Sequence, residues 1–204
     1  MINYGKNMNH LINELFKKIK SDDERIRSNA ITDISLVLEM NSWQLPLEKR
    51  MSRYRILIKE ELININLSQS EEAEIIEFLQ KEIIDLNKST YSLLFTIGQA
   101  SSSTGLAPLL DIIKNYSGGF NANESYQALV SLERLLFWDD NGINDYQLSD
   151  EKKRNLIYQS NPIPFIKSKL VWALNNSNSA HSSGLYDTAK RLLNGLSEFL
   201  DKPK

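Results

Sequence analysis

The chain has 204 residues, 41% of them hydrophobic and 25% charged, and a formal net charge of −2. This is the composition of one sizeable folded domain or an elongated array, and it gives no overall field for nucleic acid or an anionic membrane. The absence of cysteine excludes a disulfide framework, a thiolate metal site and a cysteine nucleophile.

Apolar residues recur at three- and four-residue steps along almost the whole chain, the period of helices buried on one side. Leu11, Leu15 and Ile19 predict a first helix, and the first twenty residues lack the apolar stretch of a signal peptide. Ser21 and Asp22 predict the cap of a second, which carries Ile26, Ala30, Ile34 and Leu38. Pro46 opens a third, taking in Met51, Tyr54, Leu57, Ile58 and Leu62. A fourth starts at Ser68 or Ser70, places Glu71, Glu72 and Glu74 near the positive end of its dipole, and carries a core stripe of Ile75, Ile76, Leu79 and Ile83. Six more segments follow: STYSLLFTIGQA, TGLAPLLDIIKNY, NESYQALVSLERLLF, SDEKKRNLIYQ, PIPFIKSKLVWAL and SGLYDTAKRLLNGLSEFL, separated by Gly, Asn, Ser or Pro. No segment sustains a period of two, LININL (62–67) coming nearest, and no apolar run nears the roughly 18 residues of a membrane span. The expectation is an all-α, single-domain protein of about ten helices over residues 1–204, soluble and cytoplasmic.

Four of these segments share a phrase. Ile26, Arg27, Ala30 and Ile34 follow Asp22 and Asp23, and Leu185, Tyr186, Ala189 and Leu193 keep that spacing after Ser182 and Ser183. Ala128 and Leu132 repeat the step from small to large, and Leu93 stands at the alanine position of the fourth copy. A small residue lets a paired helix come close, and the Leu or Ile one turn on fills the shared core. In LLFTIGQASSSTGLAPLLDIIK (93–114), Ile97 and Gly98 would close one helix, and Leu106, Pro108, Leu109 and Leu110 would build the next. These patterns resemble HEAT repeats. Their spacing is uneven, and the position of Arg27 is Ser125 in one copy and Tyr186 in another. The resemblance implies a right-handed α-α superhelix of HEAT or armadillo type. An irregular helical bundle is the structural alternative.

Catalytic chemistry finds no foothold. His10 and His181 are the only histidines, and His10 with Glu14 supplies two ligands where zinc takes three or four. SSST (101–104) has no elbow motif and no histidine partner, and YSGGF has no phosphate-loop spacing, so both read as turns. In DDNGIND (139–145), setting Gly142 at the sixth position of a calcium loop puts Phe137 and Leu148 where carboxylates are needed. Glu60–Glu61 and Glu71–Glu72 are sequence neighbours, which point about 100° apart on a helix. No enzyme, cofactor or metal site is expected.

Charge and aromatic patterns remain. Lys49, Arg50, Arg53, Arg55 and Lys59 form an acid-free run over two sectors of the third helix, expected to be a solvated face rather than a stripe that tracks phosphates. Asp139, Asp140, Asp145, Asp150 and Glu151 make an acidic stretch. Tyr91 and Phe95 are one turn apart, and Gln127, Val130, Arg134 and Trp138 form a stripe beside the core stripe Leu129, Leu132 and Leu136. Phe165, Lys169 and Trp172 repeat the idea. Tyr, Trp and Arg are the residues that most often anchor interfaces, although core packing between neighbouring helices is the simpler reading of any single aromatic. The expected function is a protein-binding module, with Tyr91, Phe95, Gln127, Arg134 and Trp138 on its face and Asp139 and Asp140 at the rim. The resemblance further implies the role of HEAT-type immunity proteins, which neutralise a cognate toxin by direct binding, and the acidic stretch would suit a basic toxin domain. The alternative is nucleic-acid binding of the HEAT-like alkylpurine DNA glycosylase kind, which needs a basic concave face that a net charge of −2 does not favour. A lyase or chaperone for a covalently attached chromophore is a third HEAT-repeat role, and no residue here selects it.

Overall fold

A computed structural model describes residues 9–86, 88–137 and 147–201. Among the described residues there are eleven α-helices and no strand. They are α1 His10–Ile19, α2 Glu24–Ser42, α3 Leu47–Tyr54, α4 Glu60–Ile63, α5 Gln69–Leu86, α6 Thr90–Ile97, α7 Ser102–Tyr116, α8 Ala122–Phe137, α9 Asp150–Ser160, α10 Ile163–Asn175 and α11 Ser182–Asp201.

Local chemistry fixes several helix starts. Asp23, not Ser21 or Asp22, caps α2, its carboxylate accepting from the Arg25 and Ile26 amides. The Ser21 hydroxyl instead accepts from the Asp23 amide at 3.2 Å. Ser68 and Glu71 form a reciprocal box before α5, and Asn121 and Glu124 do the same before α8. SSST is no free turn: Ser101 is the N-cap of α7 and Ser102 begins the helix. The buried Glu72 carboxylate ties that start to α5, accepting from the Ser101 amide, the Ser101 hydroxyl and the Thr104 hydroxyl at 2.6 to 2.9 Å.

The helices pack in a regular order. α1 lies against α2, α5 against α6, α7 against α8, and α10 against α11. The later member of each pair also touches the next such member, so α2, α6, α8 and α11 form one continuous row. On the other side α1 meets α5 through the Phe16 and Phe78 rings, whose centres are 3.9 Å apart, and α5 and α9 both pack on α7. Ala30, Leu93, Ala128 and Ala189, the four small-or-large positions of the repeated phrase, are all buried and stand one on each helix of the first row.

The expected core stripes are largely buried: Ile75, Ile76, Leu79 and Ile83 in α5, and Leu129, Leu132 and Leu136 in α8. Ile26 departs from its stripe and is exposed, because it falls in the capped first turn of α2; Ile31 and Val37 complete the face instead. The predicted third helix is two, α3 and α4, which raises the count from ten to eleven. The guanidinium of Arg50 explains the break. It donates to the carbonyls of Leu45, Ile63 and Ile65, and so requires the chain after Tyr54 to fold back beside α3. Ile56 and Leu57 are left exposed in the turn, while Ile58, Leu62, Ile63, Ile65 and Leu67 are buried. LININL therefore finishes a helix and then runs irregularly into α5.

Candidate interaction face at the ends of α2, α3, α6 and α8

Four helix ends converge around Trp43. α2 stops at Ser42, and Trp43 is its C-cap, the amide donating back to Glu39 O at 3.2 Å. Gln44 then turns the chain with a positive φ of 47°, leaving the Trp43 side chain beyond the packed part of the helix and 50% exposed. The Arg53 guanidinium, from the last turn of α3, lies 5.1 Å from the Trp43 ring centre and 5.2 Å from that of Tyr54. The Arg134 guanidinium, from the last turn of α8, lies 5.8 Å from Trp43 on the same reckoning. Each such contact contributes about 0.5–1 kcal/mol where exposed and about 2 where desolvated.

The cluster is tied to α6 as well. Arg134 Nη1 donates to Gln99 Oε1, and Gln99 Nε2 reaches Phe95 O at 3.5 Å. Gln99 stands there because α6 ends at Gly98, whose missing side chain lets α8 approach; a Cβ on Gly98 would sit 2.5 Å from Ser131 Oγ. Glu39 faces Arg53 across 3.4 Å. Burial lowers the Arg134 pKa, with Glu39 and Tyr54 acting against it. Burial and then the Glu39 carboxylate push the Tyr54 hydroxyl up to about 12, so it stays neutral at physiological pH. The counted charges are two guanidinium groups against one carboxylate, so the described part of the face is cationic and aromatic.

The predicted site residues divide. Tyr91 and Phe95 are each 44% exposed on α6. Arg134 belongs to the Trp43 cluster. Gln127 is corrected: it is buried, and its amide donates to Ser131 Oγ at 3.1 Å while Ser131 donates to Leu94 O at 2.9 Å. It helps close α8 on α6 and presents nothing to solvent, because α8 is covered by α6, α7 and α11 together. Trp138, Asp139 and Asp140 lie outside the described residues, as does DDNGIND. Sequence reasoning missed Trp43, Arg53 as an aromatic-stacking residue, and Gln99. An isolated Trp just past the end of an apolar stripe was the available signal. The later trio is half present: Lys169 Nζ lies 5.2 Å from the Phe165 ring centre, and Trp172 is partly exposed.

Of the basic run, Lys49, Arg53, Arg55 and Lys59 are exposed as expected, and Arg50 alone departs from the solvated face. Arg50 points inward, Arg53 joins the aromatic cluster, and Arg55 and Lys59 lie beyond the end of α3. Among the described residues no group of three or more His, Cys, Asp or Glu side chains could hold a metal ion, and no helix is long and apolar enough to cross a membrane. No protein-family model matches the chain, and neither does any curated protein or solved structure.

Proposed function

We propose that the chain is a protein-binding module, HEAT- or armadillo-like in its winding, that acts by covering a surface of another protein. The observation that carries this reading is the half-exposed Trp43 with two guanidinium groups at 5.1 and 5.8 Å from its ring centre, and with Phe95 and Tyr91 exposed on α6. A Trp stacked with neighbouring arginines offers a partner a large apolar surface with less rotamer entropy to lose than a free one. The unbroken row α2, α6, α8 and α11 supports the solenoid form, since stacked second helices are what line the binding face of such proteins. The most specific form of the proposal is an immunity protein that neutralises a toxin by occupying it. Its preference for a basic toxin domain rests on Asp139 and Asp140, whereas the Trp43 cluster itself favours an acidic or aromatic patch on the partner.

The test is a pull-down from the native host followed by binding kinetics on folded variants. Trp43→Ala and Arg134→Ala are each expected to weaken binding by about 1 to 4 kcal/mol, mainly through faster dissociation. Asp139→Asn with Asp140→Asn is expected to slow association and flatten its salt dependence. Folded Trp43→Ala and Arg134→Ala proteins that bind normally would rule out this face.

A further inference from the structure

We infer that the cleft between the end of α2, the start of α3 and residues 63–67 binds a carboxylate group carried on a short aliphatic stem, with the Arg50 guanidinium as its counter-ion. The cleft has a volume of about 350 Å³, at the lower end of the range for small-ligand sites. Arg50 lines it and is only 5% exposed. Its Nε donates to Leu45 O at 2.6 Å, and its Nη1 to Ile65 O at 2.8 Å and Ile63 O at 3.5 Å. Nη2 has no acceptor among the described residues, and no carboxylate among them pairs with the group. None of the residues lining the cleft is acidic. A guanidinium keeps its proton at neutral pH, so a whole positive charge stands almost fully covered by protein, and among the described residues only carbonyl dipoles answer it.

The geometry selects the ligand. Nε and Nη1 are occupied by backbone, so the fork that clamps a phosphate through two parallel bonds is spent, and no second cation lines the cleft to match a dianion. A single positive charge with one free nitrogen fits a monoanion. Leu45, Pro46, Leu47 and Leu67 supply apolar walls for a stem, and Asn66 lines the same opening. Trp43, Arg53 and Arg134 do not line the cleft, and its test needs no protein partner.

The experiment is calorimetric titration of the full chain with butyrate, with butyramide and chloride as controls at matched ionic strength. Saturable binding of butyrate alone is expected. Leu47→Glu puts a carboxylate on an exposed position of the cleft wall, in the first turn of α3 where an acid is well tolerated. It is expected to fold and to weaken butyrate binding by about tenfold or more through like-charge repulsion. Arg50→Met is expected to abolish binding, and where that variant does not fold, Leu47→Glu carries the test. A short peptide with a free C-terminal carboxylate, set against its amidated form, separates a chain end from a free acid: tighter binding of the free-ended peptide than of butyrate assigns the first, and the reverse assigns the second. Absence of saturable binding by both, or butyrate affinity unchanged in folded Leu47→Glu, overturns the inference.

Discussion

The seam between α6 and α8 and the turn from α3 into α4 bury polar groups in opposite ways. Around Gly98 and Ser131 the seam's buried groups are neutral and answered. The Ser131 hydroxyl donates to Leu94 O and accepts from Gln127, and the Thr96 hydroxyl donates to Ser92 O at 2.8 Å. Each such bond adds about 1 kcal/mol net, and leaving its partner unmade costs about 1–3. With the polar groups closed on themselves, the two helices can approach until Gly98 meets Ser131. At the turn one ion, Arg50, satisfies three carbonyls and is satisfied by no carboxylate among the described residues. The neutral scheme favours close packing, while the ionic one holds an irregular segment and leaves a charge that can respond to its surroundings.

The largest expected effect comes from placing an ion in the core of α8, the later helix of the seam. Leu132 is fully buried in α8. Leu132→Asp is expected to unfold the protein or cost about 3–5 kcal/mol, the penalty of an uncompensated buried charge. Thermal denaturation checks it, and a wild-type melting temperature would mean that the seam tolerates what the comparison forbids. Gly98→Ala comes next, at about 1–3 kcal/mol, because its Cβ would lie 2.7 Å from Ser131 Cβ. In a double-mutant cycle with Ser131→Gly, the pair is expected to cost less than the sum of the singles by about 0.5–3 kcal/mol. Strict additivity would show that Gly98 serves something other than this approach.

Much of the seam was legible in the sequence, and little of the turn. Helix phase, the boxes at Ser68 and Asn121, and the Ala-then-Leu step are local signals, and Ala30, Ala128 and Ala189 are buried on three of the four helices of one row. Gln127 misled because a stripe beside the core stripe is exposed only when a helix is covered on one side, and α8 is covered by three helices. The division of the third helix depends on Arg50 reaching carbonyls 13 and 15 residues further on, which no window of periodicity records. The Trp43 cluster escaped for the same reason: Arg134 approaches from a helix distant in sequence. Non-local side-chain bonds decided each of these points.

Arg50→Met tests the turn itself. Losing the guanidinium frees three carbonyls but also removes a buried charge, and these effects oppose one another in global stability. The expected result is local. Amide exchange across residues 60–67 should speed up by about tenfold or more, while the core of α8 keeps its protection. An equal loss of protection in α8 would show that the turn and the seam unfold as one unit, and that the contrast between them has no energetic meaning.

The smallest expected effect concerns a second ion set apart from the seam. Two buried carboxylates stand on α5. Glu72 accepts three hydrogen bonds at the start of α7, whereas Glu82 has only Lys20, at 3.5 Å, and its Oε2 has no partner among the described residues. Burial raises the Glu82 pKa above its ordinary 4.5; Lys20 opposes the shift, and Asp85 adds a little to it. A carboxyl in this condition holds its proton more firmly in the folded chain than in the unfolded one. Its contribution to stability is therefore fully present below 4.5 and is lost as pH rises through the folded-state value. Glu82→Gln removes the ionisation and keeps the shape. Measured by urea denaturation from pH 4 upward, roughly one pH unit at a time, the variant is expected to lose less stability than wild type on the alkaline side of 4.5. Parallel curves for the two proteins would mean that Lys20 fully compensates Glu82, and that a buried ion at this edge is as well answered as the neutral groups of the seam.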